Sequence, residues 1–573
     1  MNKDLMRKKI LFVSIIASLF FVSWDFFILR PMKKKMIEQQ KLIERLNEEN
    51  TNLKTSNEEK ESDIIVNNNI ANNEDKIEKE ETIIDFENDF VKAKLSNRGV
   101  KLNNLELKKY NESLNSEKKV SLLNDGYFLD FGWLSSYKIE LPNEDTIWTI
   151  EDINEKNTLK LSYVNNIGVK FNTVIKLDNK YMFNIEQSIE NLSNKTIILK
   201  SYTEIQKKHS DSNNRELNRY FLSGVFNKSL EEIKVHKLKK KNFEFENSKW
   251  FALSNNYWAT SVITNNNESL KVNFMQNGDF IKAQSINSDN ITIKAGKNYS
   301  INYNVFVGAK DLKILDEYSK EKAIPLFDRI VNFGSLYILT KPMYLLLNLF
   351  NKFTHNFGIA ILMLTILVKL ILYPSTKKSF ISMAKIKQIQ PELARLQEKY
   401  KDDKMSLGLK MQQLYKDNKI NPFAGILPLF IQIPVFFALY KVFVVTIEMR
   451  QAPFFWYLKD LSVMDPTSIF NLFGLLPFKA KAGFGLLPCL MALTTWIQQK
   501  MSEKMNTNDS KNAKNNEMAN NMNTSMKWMP FIMLVMFSAL PSGLILYWTF
   551  NNIISIIQQY YINKKISKIA VKM

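Results

Sequence analysis

The sequence predicts a polytopic α-helical membrane protein with six spans, joined to an extracytoplasmic antiparallel β-sandwich domain. Three observations support this fold class. Apolar residues are concentrated in separate runs, and Phe357–Tyr373 is long enough to cross a bilayer, which takes roughly 17–25 residues. Residues 82–318 instead alternate apolar and polar positions over short segments, as half-buried strands do. A charged residue, Lys369, lies inside the run Phe357–Tyr373, where a charge is costly and usually functional.

The N-terminus predicts a membrane anchor followed by a tether. Residues 1–9 form a basic tail, and residues 10–29 are a continuous apolar run. A signal peptide would have the same order, but the run is long and no small-residue cleavage site follows it, so we interpret it as an uncleaved first span. Residues 30–81 are rich in Glu, Lys and Asn and predict a polar tether.

Residues 82–318 predict the β-sandwich. Turn sequences such as Asn97-Arg98-Gly99 and Asp178-Asn179-Lys180 separate the alternating segments, a pattern typical of antiparallel strands. The chain has one cysteine, Cys489, so no intramolecular disulfide can hold this domain and its core must do so. The predicted strands are Val91–Leu95, Thr158–Val164, Lys170–Leu177, Tyr181–Glu190, Thr196–Tyr202, Asn290–Ile293 and Tyr299–Val307.

The segment between the second and third spans determines the predicted topology. Residues 377–421 contain eleven Lys/Arg and five Asp/Glu, which places this segment in the cytoplasm. Its apolar spacing predicts two antiparallel helices, Ser379–Tyr400 and Ser406–Asn418, and we expect this hairpin to be mobile. The β domain then lies outside, and both termini lie inside.

The other predicted elements follow from this topology. They are an amphipathic interfacial helix (319–355), the second span (356–376), the third span (422–447), an outside loop (448–483), the fourth span (484–499), an inside loop (500–527), the fifth span (528–540), the sixth span (542–561) and a basic cytoplasmic tail (562–573).

Lys369 leads to the functional hypothesis, because an intramembrane charge normally faces protein or trapped water. Other spans contain Gln432, Tyr547 and Trp548, and Thr365 lies one helical turn from Lys369. Together they suggest a polar cavity. Three simpler interpretations stay open: Lys369 could extend along its helix toward the basic loop about 12 Å away, Thr365 and Gln432 could only join helices, and the two aromatic residues could belong to an interfacial belt.

No catalytic constellation or metal-binding pattern is evident in the sequence. It has no phosphate-binding glycine loop, no nucleophile elbow and no HExxH motif, and its three histidines are scattered. We therefore predict no enzyme activity, no cofactor and no metal. The net charge of +20 is spread along the chain, which argues against sequence-specific nucleic-acid binding.

The second half of the chain resembles the YidC/Oxa/Alb family of membrane protein insertases. The resemblance lies in LTILVKLILYPSTKKSFISMAKIKQIQPELARLQEKY (364–400), NPFAGILPLFIQIPVFFALY (421–440), MRQAPFFWYLKDLSVMDP (449–466) and LPSGLILYWTFNNIISIIQQYYI (540–562). The β domain resembles the large periplasmic domain of members from double-membrane bacteria, through FENDFVKAKLSNRGVKLNNLELKKY (86–110) and VFVGAKDLKILDEY (305–318). The family usually has Arg where this chain has Lys369, so the charge is kept but the bidentate guanidinium is not.

The resemblance implies an inner-membrane insertase and membrane chaperone with a five-helix core around a hydrophilic groove. In that groove Lys369 would attract acidic substrate segments, while Thr365, Gln432, Tyr547 and Trp548 would offer hydrogen bonds. The hairpin would receive the substrate or contact ribosome and targeting factors through Lys377, Lys378, Lys385, Lys387 and Arg395. The implied partners are nascent membrane proteins, the lipid bilayer, and the Sec translocon with its accessory subunits.

Two functions from other classes are the alternatives. A small-solute channel or transporter predicts solute flux. A sensor that binds its ligand with the β domain predicts that deletion of residues 90–315 abolishes function.

Overall fold

The structure is a computed structural model that describes residues 81–100, 102–124, 126–152, 157–208, 219–264, 270–400, 403–421, 427–474, 476, 484–506 and 528–570. The predicted first span (10–29), nearly all of the tether and most of the loop 500–527 lie outside the described residues.

The described residues between 83 and 309 form nineteen strands, which are joined by turns, loops and a 3-10 turn at Val235–Lys237. The strands are β1 (Ile83–Glu87), β2 (Val91–Ser96), β3 (Leu102–Asn111), β4 (Lys119–Leu122), β5 (Tyr127–Leu134), β6 (Thr149–Asp152), β7 (Thr158–Val164), β8 (Val169–Leu177), β9 (Met182–Asn191), β10 (Ile197–Lys208), β11 (Phe221–Phe226), β12 (Ser229–Lys234), β13 (Phe243–Phe245), β14 (Ser248–Ser254), β15 (Trp258–Thr264), β16 (Leu270–Asn277), β17 (Phe280–Asn287), β18 (Ile291–Ile293) and β19 (Asn298–Ala309). All seven strands predicted from the sequence are confirmed.

The strands pair into two antiparallel sheets. One has the order β1-β2-β3-β5-β10-β17-β16-β13, with β4 beside β3 and β18 beside β10. The other has the order β12-β11-β14-β15-β19-β9-β8-β7-β6. The long neighbours β8 and β9 pair in register from Val169 with Asn191 to Leu177 with Phe183. Most strands pair with the strand before or after them in the chain. Other pairs, such as β5 with β10, join distant parts of the chain.

The core lies between the two sheets. Along β8, Val169, Phe171 and Ile175 are buried at alternate positions, as one face of a strand against a core requires. Side chains from opposite sheets meet directly: the Tyr127 hydroxyl lies 2.6 Å from Thr260 Oγ1, and the Phe131 ring packs edge-on against a ring of β19. These contacts make the domain a β-sandwich, as the sequence predicts.

A short helix, α1 (Leu312–Glu321), follows β19 and packs on the sandwich. Its Tyr318 donates a 2.7 Å hydrogen bond to Asp178 and accepts one of 3.1 Å from the backbone of Tyr181. Asp178 also accepts from the backbone N–H groups of Lys180 and Met182, so one carboxylate shapes the turn and holds the helix. The end of the β domain is therefore fixed to its body.

Eight further helices follow α1 in the part of the chain that the structure describes. They are α2 (Tyr337–Thr354), α3 (Phe357–Gln388), α4 (Gln390–Lys399), α5 (Lys404–Asp417), α6 (Leu427–Val445), α7 (Leu486–Asn506), α8 (Met529–Phe537) and α9 (Ser542–Ala570). Within the described residues, the segment Phe357–Ile386 of α3 is long and apolar enough to cross a membrane, and Phe430–Val445 of α6 is a shorter apolar helix.

The prediction of one continuous helix over 319–355 is wrong. The chain leaves α1 at Glu321, passes through 3-10 turns at Phe327–Ile330 and Gly334–Leu336, and becomes helical again only at α2. Leu326 has a φ of 54° and Gly334 a φ of 67°, so neither can continue a right-handed helix. Apolar spacing alone did not reveal these breaks.

Three helix boundaries also differ from the predicted ones. The predicted border between the second span and the hairpin, at 376/377, falls inside α3, which continues past Pro374 to Gln388. At the fifth predicted span, 528–540, the structure has the nine-residue α8, which is about 14 Å long at 1.5 Å per residue. At the sixth, α9 extends from Ser542 through most of the predicted basic tail. The predicted boundaries were placed where apolar residues give way to polar ones. Such a change marks the boundary between membrane and water, and a helix can continue across that boundary.

The hairpin formed by α4 and α5 has a core of its own, separate from the main one. Three buried residues, Ile389, Leu393 and Ile420, form it, with Met411, Leu414 and others packed around them. This cluster is small beside the main core, so few apolar contacts hold the hairpin in place.

One lysine is buried where β19 leads into α1. Lys310 is 1% exposed, and its amine donates a 2.6 Å hydrogen bond to the Asn255 carbonyl. Burial lowers the pKa of Lys310 from its ordinary 10.5 to about 7, against the opposing effect of Glu232 and with a smaller lowering by Lys441.

We expect Lys310 to give the β domain a stability that depends on pH. Between about pH 7 and 10 the unfolded chain holds a proton that the folded chain has released, so stability rises with pH in this window. Lys310→Met should therefore raise the melting temperature most, by the equivalent of a few kcal/mol, at or below pH 7, and progressively less toward pH 10. Scanning fluorimetry of the full chain at several pH values measures this; a difference that does not vary with pH would contradict it.

Candidate functional site

The amine of Lys369 bonds to another helix. Its Nζ lies 2.6 Å from Ser555 Oγ of α9, and the side chain is half-buried between α3 and α9. The next two residues of α3, Leu370 and Ile371, are exposed on the outside of the bundle. The side chain therefore extends from α3 to α9. In the alternative interpretation it would extend along α3 toward the basic loop.

Ser555 is a neutral partner for this charge. The serine is buried, and its hydroxyl donates a 2.8 Å hydrogen bond to the Asn551 carbonyl, which leaves its oxygen to accept from Lys369. Among the described residues, Lys369 makes no salt bridge. The predicted spans 356–376, 422–447, 484–499, 528–540 and 542–561 contain no Asp or Glu, so no carboxylate is built in beside it.

Ser555 belongs to a polar stripe on α9. Tyr547, Asn551, Ser555 and Gln559 follow at four-residue intervals, which places them on one face of the helix, and all four are buried. Asn552 beside them donates to the hydroxyls of Thr494 and Thr495 on α7, at 3.2 and 2.9 Å. Polar groups thus point inward along the middle part of α9. We call Tyr547, Asn551, Ser555 and Gln559 the polar stripe.

Gln432 and Tyr547 meet at one end of the polar stripe. The Gln432 amide donates a 2.5 Å hydrogen bond to the Tyr547 hydroxyl, and both side chains are buried. Thr365 is fully buried one turn before Lys369, but its hydroxyl bonds to the Ile361 carbonyl of its own helix at 2.7 Å. Two of the candidate groove residues are therefore directly joined, and Lys369 is joined to the same stripe two turns along.

Trp548 does not take part in the polar stripe. Its ring packs against Phe436 of α6 and Phe537 of α8, with ring centroids 5.3 Å apart in both pairs. The structure thus places this side chain in an aromatic cluster on another face of α9, whereas the resemblance implied a hydrogen bond in the groove.

The candidate hairpin residues lie beyond Pro374. Lys377, Lys378 and Lys385 are exposed on the last part of α3, and Arg395 is exposed on α4. Lys387 lies in α3, but its side chain is outside the described part of the structure. These cations therefore continue from the helix that holds Lys369 toward the hairpin.

Sequence reasoning missed Ser555 and Gln559 as site residues. The available signal was their spacing of four from Tyr547 and Asn551. Serine and glutamine in spans commonly join helices, so their residue type gave no reason to select them. Sequence reasoning also did not consider Lys441, the lysine of the predicted third span. Its amine lies near Gly334, just before α2, and thus away from the polar stripe.

Residues Arg450–Ser468, here called the covering segment, close the bundle at the end nearest the β domain. The side chain of Asp465 and the hydroxyl of Thr467 accept from the first N–H groups of α7, at 2.8 Å each. The carbonyls of Leu461 and Val463 accept from the first N–H groups of α9, at 2.9 and 2.7 Å. Phe454 packs so closely on Gly358 at the start of α3 that a side chain there would overlap the ring. The ends of three helices are thus fixed by one segment.

The covering segment is preceded by a buried carboxyl group. Burial, together with the nearby Asp311, raises the pKa of Glu448 to about 7. The hydroxyl of Tyr344 on α2 donates a hydrogen bond to this group. Glu448 is therefore held by α2 at the end of α6 and does not neutralise Lys369.

Comparisons with known proteins match nearly the whole chain. Residues 349–569 match the family described as "60Kd inner membrane protein", and residues 83–346 match the "YidC periplasmic domain". The chain is 38% identical to proteins named "Membrane protein insertase YidC" from Rickettsia canadensis and Rickettsia felis, over 98% of this chain and 100% of each relative.

Solved structures with some similarity are more distant. An active YidC insertase crystal structure is 19% identical with a TM-score of 0.32, and the match covers 84% of this chain and 93% of that one. A galactose mutarotase related enzyme from Lactobacillus acidophilus is 11% identical with a TM-score of 0.30, over 39% of this chain and 97% of that one. The sequence matches, in contrast, extend through both the β-sandwich and the helices.

We expect a measurable coupling between Gln432 and Tyr547. Tyr547→Phe or Gln432→Leu should each lower stability by about 1 kcal/mol, because each leaves a buried polar group without its partner. The double variant should lose much less than the sum of the two. Unfolding of the purified protein in mixed micelles measures all three variants.

Thr549 provides the matched control, because its hydroxyl bonds within α9 to the Ile545 carbonyl. Gln432→Leu combined with Thr549→Val should be additive. If the Gln432 and Tyr547 losses also simply add, the hydrogen bond between them contributes nothing to the bundle.

Proposed function

The chain belongs to the YidC family of membrane protein insertases, and we propose that its polar stripe and Lys369 receive the hydrophilic segment of an incoming membrane protein. It is a protein of the inner membrane with a periplasmic β-sandwich domain. The observation that carries the proposal is the bond between Lys369 and Ser555, a positive charge with a neutral partner inside the bundle.

A neutral partner leaves the charge of Lys369 available. An ammonium group has three N–H donors, and Ser555 accepts from one of them. A carboxylate on a substrate tail could accept from the remaining donors and form an ion pair with the ammonium group, an attraction that the neutral Ser555 hydroxyl does not supply. Had the bundle supplied its own Asp or Glu, the substrate would have to compete with it. The arrangement therefore favours acidic segments without binding them permanently.

The rest of the polar stripe would serve the backbone and polar side chains of the same segment. Unpaired polar groups cost several kcal/mol each in hydrocarbon, so a translocating tail needs partners inside the membrane. Asn551 offers an amide group on the same face as Ser555. On their outer sides α3 and α9 expose Ile366, Leu370 and Ile557, an apolar surface along which the hydrophobic part of a substrate would move into lipid.

The driving force in this proposal is partition, and no covalent step is involved. Each leucine or isoleucine of a new span gains roughly 0.3–0.6 kcal/mol on insertion, so an apolar segment of about 20 residues gains several. An acidic residue that moves outward gains a further ~2.3 kcal/mol per 100 mV of membrane potential. The bundle would lower the barrier for the polar tail, and the apolar segment would then hold the product in place.

The proposed topology has six spans, five of which form the bundle that contains the polar stripe, with both termini in the cytoplasm. The charge balance of 377–421 supports a cytoplasmic hairpin, where exposed Lys377, Lys378, Lys385 and Arg395 suit contacts with ribosome, targeting factors or substrate. Lys387 is proposed for the same surface from its sequence position. Cooperation with the Sec translocon and a role in folding and assembly of substrates are part of this proposal by analogy with the family.

We expect insertion of a protein with an acidic N-terminal tail to depend on the charge at position 369. Lys369→Arg should keep the rate within about threefold, while Lys369→Ala should lower it about tenfold or more, as expected for loss of a charged hydrogen bond, and Lys369→Glu should lower it further. Reconstituted vesicles and protease access to the translocated tail measure this.

Two controls make the result specific. Lys441→Ala removes the other lysine of the spans, which lies near Gly334, and should leave the rate near wild type. A test protein whose tail carries Asn in place of Asp should be nearly indifferent to Lys369→Ala. Equal insertion by all four residues at position 369 would rule out a role for the charge.

A further inference from the structure

The most exposed aromatic side chain among the described residues of the covering segment is Trp456. It is 85% exposed, next to Phe455 at 56%, and Phe470 on the following 3-10 turn is 61% exposed. Val463, Met464 and Leu472 are exposed nearby in the chain. We call Phe455, Trp456 and Phe470 with these three residues the aromatic rim. Exposed apolar side chains concentrated in one short stretch of the chain are a candidate interaction site.

We infer that the aromatic rim inserts into the outer leaflet of the membrane, at the boundary between head groups and acyl chains. The side of the membrane follows from the β domain: Arg450, at the start of the covering segment, donates hydrogen bonds to the carbonyls of Asn111 and Glu112, at 2.7 and 2.9 Å. Because the β domain is the periplasmic one, the rim lies at the periplasmic surface.

The depth follows from the way the covering segment is held. Its backbone and side chains cap the first residues of α7 and α9, and Phe454 contacts the first turn of α3. The rim residues are neighbours of these caps in the chain, so they lie at the level where the helices begin. Tryptophan and other aromatic residues are enriched at that level in membrane proteins.

The conformation of Trp456 is also unusual for its residue type. Its φ is 57°, a left-handed value that is uncommon for a bulky residue and costs on the order of 1–3 kcal/mol. The indole packs edge-on against the ring of Tyr457, which in turn bonds to Asp465 at 3.3 Å. The fold therefore holds an exposed tryptophan in a strained position, which a membrane contact would account for.

Lipid suits this surface better than a charged partner does. Asp460 and Asp465 are half-buried and accept hydrogen bonds from Ser462 and from the start of α7, and the six residues of the rim include no carboxylate. Lys459 is exposed at its edge and suits phosphate head groups. Phe470 lies on the 3-10 turn Ile469–Gly474, and Ile469 of this turn donates a hydrogen bond to the carbonyl of Phe484, just before α7. Helix α7 exposes Leu490, Leu493 and Trp496 along one face. The rim therefore continues the apolar surface that α7 would present to lipid.

Nitroxide labels on single cysteines test the inference without reference to substrate insertion. In the Cys489→Ser background, Trp456→Cys and Phe470→Cys are labelled, and Lys459→Cys provides a control in the same segment. The full chain is reconstituted in vesicles of phosphatidylethanolamine and phosphatidylglycerol. Relaxation by oxygen, which concentrates in lipid, is compared with relaxation by a water-soluble nickel chelate.

The expected result is a several-fold higher ratio of oxygen to nickel accessibility at 456 and 470 than at 459. Ratios equal to that at 459 would place the rim in water and overturn the inference. Protection of both labels from both reagents would show that a second copy of the chain covers the rim, and would overturn it as well. A melting temperature close to that of the unlabelled protein confirms that the labelled chains are folded.

Discussion

A positive charge inside an apolar helix needs a polar partner within the bundle, and in this chain that need joins α3 to α9. An uncompensated lysine near the middle of a span costs at least about 2.5–3.5 kcal/mol. In this chain the partner is Ser555, and the serine is available because its own proton goes to the Asn551 carbonyl. The charge is thus stabilised, and among the described residues it has no counter-ion. The proposed binding of substrate carboxylates depends on this arrangement, which a structural ion pair would not offer.

The two halves of the chain solve different physical problems. The β-sandwich buries a large apolar core between two sheets and needs no disulfide, and Asp178 and Tyr318 fix its last helix to that core. The helical part exposes apolar side chains outward and turns polar ones inward. The covering segment joins the two, since Arg450 bonds to the β domain while Asp465 and its neighbours cap the helices. The two ends of the bundle therefore differ: the covering segment closes the end near the β domain, and exposed cations lie toward the other end.

The combination of a membrane part with a β-sandwich domain, and the position of the central charge, could be predicted from the sequence, because both depend on composition and period; the count of six spans stays a prediction. Short alternating segments gave the strands, and Lys369 stood out against its apolar run. Helix breaks between 319 and 355 could not be predicted from spacing, since left-handed Leu326 and Gly334 interrupt an apolar pattern that continues across them. Ser555 was missed, and Trp548 was assigned to the groove, for a related reason: the face of a span on which a residue lies depends on neighbouring helices, which the local sequence does not specify.

A disulfide cross-link between the polar stripe and a substrate in transit would test whether Lys369 and the stripe receive the acidic tail of the substrate. A stalled nascent membrane protein with a cysteine next to an aspartate in its N-terminal tail would be presented to Cys489→Ser chains that carry Ser555→Cys, or Ile557→Cys on the exposed face of α9. The account predicts cross-linking at 555 well above that at 557, and its loss when Lys369 is replaced by Ala. Equal cross-linking at both positions, or cross-linking at 555 that does not depend on Lys369, would contradict it.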